Sequence, residues 1–373
     1  MQAIINVCVT AANWFWGIPI LILVGGGGLI LSIRCGFIQI RKISYIFSQT
    51  FGKMFQKAEE GKISTFAAAC TALGSSIGAS NIVGVPVAIA LGGPGAVFWM
   101  WIIAIVGCCT KYCEIALAVK YKVKDEKGNW FGGAFSYIKE AFGNKKVGKA
   151  LGILFALCGA INCVPSCATQ ILSATSQVAT FNWNEKIFGI IIIAFVALIV
   201  FGGIKRIAAF MERIVPFMAV IYLLGVVIIL VANAGNLLPT LGSIFVYAFT
   251  PHAAFGGFVG STVAFAMRWG IARGVYSNEA GFGTAAIAHS ASDVDHPVRQ
   301  AMWGVFEVFL DTIVICTATA LAVLSTGAWT KEGISSGALT QAAFGSVFGH
   351  AGEIFIAVCV LLFVITTIIV VVY

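Results

Sequence analysis

Between Thr71 and Trp101 an apolar run is interrupted by Gly74, Gly78, Gly84, Pro86, Gly92, Gly93, Pro94 and Gly95, with Ser75, Ser76, Ser80 and Asn81 set among them. Glycine and proline loosen a backbone, and hydrocarbon offers no partner for the N–H and C=O groups that are freed. Such a break survives where it is buried in protein or lines a cavity, and at mid-membrane depth it marks a transporter-type binding site. The freed groups are the chemistry. A helix restarting near Asn81 presents unpaired N–H groups, which suit a carboxylate. Ser75, Ser76 and Ser80 add hydroxyls, while Gly78 and Ala79 leave room for a small ligand. The same small residues also suit close helix packing.

Other polar groups lie inside apolar stretches. Gln170, beside Pro165, Ser166 and Thr169, needs a partner, which an interhelical hydrogen bond or a ligand would supply. Glu307 and Asp311 stand one turn apart and repel unless partnered or protonated. Arg268 or Arg273 is the expected partner, as a structural ion pair or as a gate. Lys111 and Glu114 read as a local pair near a helix end, or as snorkelling side chains. Phe265 and Trp269 could wall a pocket near a second break or simply pack in the core. The four histidines form no HExxH-like motif, which argues against an enzyme. No ring of charges suggests a channel. Cys158, Cys163 and Cys167 share one long helix, where packing is the plain reading and metal ligation the alternative.

The elements that must position these groups are membrane helices. Of 373 residues, 60% are hydrophobic and 10% charged, against about 25% charged in soluble domains. Nine segments reach or approach the roughly 20 residues a span requires: 14–33, 65–91, 94–119, 150–176, 187–202, 209–232, 257–283, 298–326 and 350–373. Shorter interfacial or re-entrant helices are expected at 37–57, 131–142 and 236–250. With the N-terminus outside, the cytoplasmic stretches 34–62, 120–149, 203–213 and 286–299 hold eighteen Lys and Arg, and the outside stretches hold only Lys186 and Lys331. That bias sets a multi-pass orientation with the N-terminus outside. The net charge of +8 reflects these loops rather than a nucleic-acid partner. Segment 257–283 is again glycine-rich, carries Arg268, Arg273 and Glu279, and runs opposite to the first broken span. Two interrupted spans of opposite direction suggest an inverted repeat. The domain reading is therefore a peripheral 1–63, a first repeat at 64–235 and a second at 236–373.

TALGSSIGASNIVGVPVAIALGGPGAVFWMW (71–101), TKYCEIALAVKY (110–121), RGVYSNEAGFGTAAIAHSA (273–291) and HPVRQAMWGVFEVFLDTIVICTATALAVLSTGAW (296–329) resemble the alanine or glycine:cation symporters, also called sodium:alanine symporters. The resemblance runs from about Trp14 to Thr367. It implies an all-α polytopic membrane protein with a leucine-transporter-like inverted repeat of five plus five helices after an extra N-terminal helix. After Phe363–Ile369 the family continues with Gly-Trp, whereas here Val370, Val371 and Val372 precede Tyr373. The expectation is thus that the last two helices are missing, as in a fragment. The resemblance further implies sodium-coupled uptake of a small neutral amino acid, alanine or glycine, by alternating access across the cell membrane. The bilayer is then the surrounding partner, and no obligate protein partner is implied. The zwitterion would meet Ser75, Ser76, Gly78, Ala79, Asn81 and Gln170, with Phe265 and Trp269 as walls. Co-transported sodium would be caged by the Thr366 and Thr367 hydroxyls and the carbonyls of Gly74 and Ile77, since hard cations take oxygen ligands. A passive channel or facilitator for small polar solutes and a proton-coupled amino-acid transporter stand as alternatives.

Overall fold

In hydrocarbon every backbone group must be paired within its own segment, so long apolar runs fold as helices. The computed structural model describes residues 2–54, 62–124, 126, 128, 130–143, 145–179, 181, 184–251, 262–331 and 333–373. The main helices are α1 (Ile5–Arg34), α2 (Ile43–Thr50), α3 (Thr65–Ser76), α4 (Ser80–Gly92) and α5 (Gly95–Lys120). They continue as α6 (Ala134–Ala141), α7 (Lys146–Ala179), α8 (Glu185–Val200), α9 (Gly203–Ala232) and α10 (Ala234–Phe249). The last five are α11 (Val263–Asn278), α12 (Thr284–Ser290), α13 (Pro297–Ser325), α14 (Leu339–Phe348) and α15 (His350–Val372). Val123–Lys124 and Trp130–Phe131 form a small antiparallel hairpin.

The protein is an all-α polytopic membrane protein. Among the described residues six helices are long and apolar enough to span: α1, α5, α7, α9, α13 and α15. The bent pair α3–α4 makes a seventh. Of the nine expected segments, 187–202 corresponds to α8 and 257–283 to α11, each only 16 residues long. Residues 257–261 of the latter segment, and 55–57 of the expected 37–57 helix, lie outside the described residues.

Helix α5 is the central post. Its buried face packs against α11 and α13, and α1 leans on it from another side. Helix α3 lies between α9, α12 and α15. Because its residues from Ala67 to Ser76 are all buried, its polar groups are aimed into protein rather than lipid. The largest core cluster joins Leu73 and Ile77 of α3 to Met211, Val215 and Tyr222 of α9 and to Phe363 and Val364 of α15. Helix α7 runs along α15 and exposes most of its surface, as a lipid-facing helix would.

Candidate functional site

Ser64 caps α3 by accepting the Ala67 N–H at 2.9 Å. The helix ends at Ile77, whose ψ of 88° turns the chain out of helical geometry. It restarts at Ser80 with a bend of 44°. The restart, Ser80–Gly84, is wound wider than an α-helix, and the Phe309–Cys316 part of α13 is wound the same way. Wide turns of this type recur at functional sites because they displace backbone groups from the regular ladder. Here the two wide segments face each other.

Side chains from remote helices pair the groups freed at the break. Gln170 Oε1 of α7 accepts the Ala79 N–H at 3.1 Å. Asn81 Oδ1 accepts the Gly78 N–H at 2.9 Å. The Thr367 hydroxyl of α15 lies 3.1 Å from Gly74 O, 3.4 Å from Ile77 O and 3.0 Å from Phe363 O. A hydroxyl has one proton, so it can donate to only one of these oxygens at a time. Gly78 allows this close approach: a Cβ there would sit 2.6 Å from Thr367 Oγ1 and 3.1 Å from Gln170 Nε2, so either side chain would have to shift.

A second polar layer lies beside the break. Asp311 is fully buried, and its carboxylate accepts from Asn81 Nδ2 at 2.6 Å, Ser277 Oγ at 2.9 Å and Thr312 Oγ1 at 2.7 Å. These donors are neutral, so the carboxylate is held by hydrogen bonds rather than by an ion pair. A third layer is charged. Lys111 Nζ donates to Asn278 O at 2.7 Å, lies 3.4 Å from Ser76 Oγ and pairs with Glu307 at 3.5 Å. Glu307 also meets His289 Nε2, whose other ring nitrogen contacts Gln300 Nε2 at 2.6 Å. Gln300 reaches Thr65 O at 3.1 Å, so the chain of contacts returns to the start of α3. Lys111, Glu307, His289 and Gln300 are all buried, and buried charges persist only when paired and hydrogen-bonded.

The expected site residues divide three ways. Gly74, Ile77, Gly78, Ala79, Asn81, Gln170 and Thr367 converge on the break. Ser75, Ser76 and Thr366 are adjacent but turned elsewhere. Ser75 Oγ donates to Glu279 at 2.6 Å, and Ser76 Oγ donates to Ala72 O at 3.1 Å. Thr366 donates to Phe363 O at 2.9 Å and faces Met218 Sδ at 3.7 Å. Phe265 and Trp269 are the third group. The Trp269 side chain packs at Gly92, about 16 Å along the helix from Asn81 at 1.5 Å per residue, and Phe265 is exposed.

Two electrostatic expectations need correction. The arginines of α11 do not partner the acids of α13: Arg268 donates to Asn13 O at 3.0 Å, and Arg273 lies over the Trp269 ring at 5.9 Å. Nor is Lys111 a local partner of Glu114 or a snorkelling side chain, because it is fully buried and its ammonium points across to Asn278 and Glu307. Sequence reasoning assigned no role to Ser277, Asn278, His289 and Gln300. The available signal was Lys111 itself: a cation well inside a span demands a buried carboxylate on another helix.

A bent, unwound span whose backbone is held by side chains of other helices, inside an all-α polytopic membrane protein, is the arrangement that secondary transporters use for binding. The chain belongs to the sodium:alanine symporter family, whose profile matches residues 1–373. It is 40% identical over 350 residues to the sodium/alanine symporter AgcS of Methanococcus maripaludis, covering 92% of this chain and 76% of the relative. It is 37% identical over 369 residues to the putative sodium/proton-dependent alanine carrier protein YrbD of Bacillus subtilis, covering 95% and 74%. It is also 36% identical over 366 residues to the probable sodium/glutamine symporter GlnT of Bacillus subtilis, covering 97% and 74%.

Proposed function

We propose that the chain couples inward sodium movement to uptake of a small neutral amino acid, alanine or glycine, by alternating access. The carrying observation is the Thr367 hydroxyl set against the carbonyls of Gly74 and Ile77 at the break. Three oxygens from two elements, all neutral and close together, make the start of a cage for a hard ion, which takes oxygen ligands. Thr366 is the weaker member of the proposed set, because its hydroxyl is turned to its own helix and to Met218.

The substrate carboxylate is proposed to bind where Gln170 Oε1 now accepts from Ala79. An ionised carboxylate makes a stronger bond to the same N–H than a neutral amide oxygen does, which helps to offset its desolvation. Gln170, released, offers its own N–H to the incoming ligand. The crowding at Gly78 favours a ligand with little side chain, which supports alanine or glycine over glutamine. The proposed frame is a pair of inverted repeats, 64–235 and 236–373, with the N-terminus outside. The eighteen-to-two distribution of basic residues supports that orientation.

The test is uptake of labelled alanine into vesicles carrying the purified chain. Accumulation driven by an inward sodium gradient, and abolished when choline replaces sodium, is the expected result. Accumulation driven by a proton gradient alone would establish the proton-coupled reading instead. Flux without accumulation under either gradient would make the protein a facilitator.

A further inference from the structure

Cys35, Cys109 and Cys113 come together although 78 residues separate the first from the last. Gly28, Ser32 and Cys35 fall on one face at positions i, i+4 and i+7, running down α1 and just past its end. Helix α5 answers with Val106, Cys109, Thr110 and Cys113. Gly28 permits the close approach: a Cβ there would sit 2.6 Å from Val106 Cγ1 and 2.7 Å from Thr110 Oγ1. The Gln39 amide fixes the seam by donating to Ser32 Oγ at 3.0 Å and to Ile105 O at 3.3 Å. At its end the three sulfurs lie within 4.8 Å of one another, and Cys35 Sγ is 3.8 Å from Cys113 Sγ.

Three sulfurs that share one ion at about 2.3 Å stand about 4 Å apart. The observed triangle is therefore close to the size of a three-thiolate site. Its chemistry is selective. Thiolate sulfur is soft and favours Cu(I), Zn(II) and related thiophilic ions over Na⁺ or Mg²⁺. Arg41, in the turn that follows Cys35, donates to Gly36 O at 3.2 Å. A Cys35–Cys113 disulfide would use two of the sulfurs and leave Cys109 without a role.

We propose that Cys35, Cys109 and Cys113 bind one thiophilic metal ion that ties the end of α1 to α5. On binding, three S–H groups lose their protons to solvent and three sulfur–metal bonds form, with no change in oxidation state. Protons therefore compete with the metal, and affinity falls as pH is lowered.

The experiment titrates the reduced, metal-free 373-residue chain in detergent with Cd²⁺, following the sulfur-to-cadmium charge-transfer absorption. The expected result is saturation at one equivalent. Cys35→Ser should weaken binding at least about tenfold, by ~1.4 kcal/mol. The triple variant C35S/C109S/C113S should abolish the band, and C158S/C163S/C167S should leave it unchanged. A band that survives the first triple variant, or disappears only in the second, overturns the proposal. X-ray absorption at the cadmium edge of the wild-type chain gives a check that needs no variant. Three sulfur neighbours support the site, and a shell of oxygen alone overturns it.

Discussion

Two interruptions among the described residues, one on each side of the buried charged layer, are stabilised differently. The first, Ile77–Ala79, contains no left-handed residue, and its free backbone groups depend largely on Gln170 and Thr367 from α7 and α15. The second, between α11 and α12, is built into the chain. Glu279, Gly281 and Gly283 all take positive φ, and the Glu279 carboxylate accepts from its near neighbour Thr284 at 2.7 Å. Lys111 holds the last turn of α11 through Asn278 O, with Glu307 and His289 behind it. Both breaks thus draw partners from other helices, but they differ in kind: the first is held by neutral hydrogen bonds that a ligand's polar groups could replace, whereas the second has left-handed residues built into the chain and a buried ion pair behind it. Ser75 to Glu279 and Asn81 to Ser277 connect the two.

Removing the charge behind the second break should have the largest effect. Lys111→Met leaves Glu307 buried without its cation, and losing one partner of a buried pair costs about 3–5 kcal/mol. The expected outcome is a marked fall in thermal stability in detergent, partly recovered by adding Glu307→Gln. A melting curve that does not change would mean the ion pair does not hold the second break.

Gly78→Ala should come next, and it should act on transport rather than on folding. The added methyl meets Thr367 and Gln170 together, the two side chains that hold the first break. Alanine uptake is expected to fall at least about tenfold, ~1.4 kcal/mol of binding or barrier, with normal yield of folded protein. Wild-type uptake would show that the first break has slack to spare.

Gln170→Leu tests the exchange at Ala79. It removes an amide oxygen that a carboxylate is proposed to displace, so alanine affinity should change by a few-fold while stability falls by about 1–3 kcal/mol, the cost of an unpaired buried donor. Smallest is Ser75→Ala, which deletes one hydrogen bond linking the breaks. Glu279 keeps Thr284 as a partner, so the loss should stay at or below about 1 kcal/mol, the net worth of one hydrogen bond. Stability measured by melting, alongside uptake, separates the two readouts.

The first break was legible because glycines and a proline inside an apolar run can only be reconciled with hydrocarbon by a buried interruption. Its remote partners were legible in part. Gln170 and Thr367 are polar residues on spans that are otherwise apolar, so each had to face protein, and Gly74 and Ile77 carry the carbonyls such a hydroxyl would meet. Thr366 shows the limit. Its hydroxyl is turned to Phe363 O of its own helix and to Met218, while that of Thr367 is turned to the break, a choice of direction that sequence position does not give. The charged layer was misread because Arg268 and Arg273 were the visible cations near the acids, whereas partner choice depends on which helices pack. Lys111 of α5 meets Glu307 of α13 because those helices share a long seam. Phe265 and Trp269 lie apart from the first break: they sit towards the N-terminal end of α11, while Ser277 and Asn278, at its C-terminal end, face the break and the buried lysine.

The central claim is that the Thr367 hydroxyl joins the carbonyls of the first break around sodium, so that ion and substrate order the same segment. Reciprocal linkage then requires each ligand to raise the affinity of the other by the same factor. The direct measurement is alanine affinity at low and high sodium, with choline holding ionic strength constant, for wild type, Thr367→Val and Thr366→Val. Valine keeps the branched shape and removes only the hydroxyl. The account predicts that sodium tightens alanine binding in wild type and in Thr366→Val but not in Thr367→Val, where weak sodium-independent binding survives. A Thr367→Val chain that keeps the full sodium effect would contradict it.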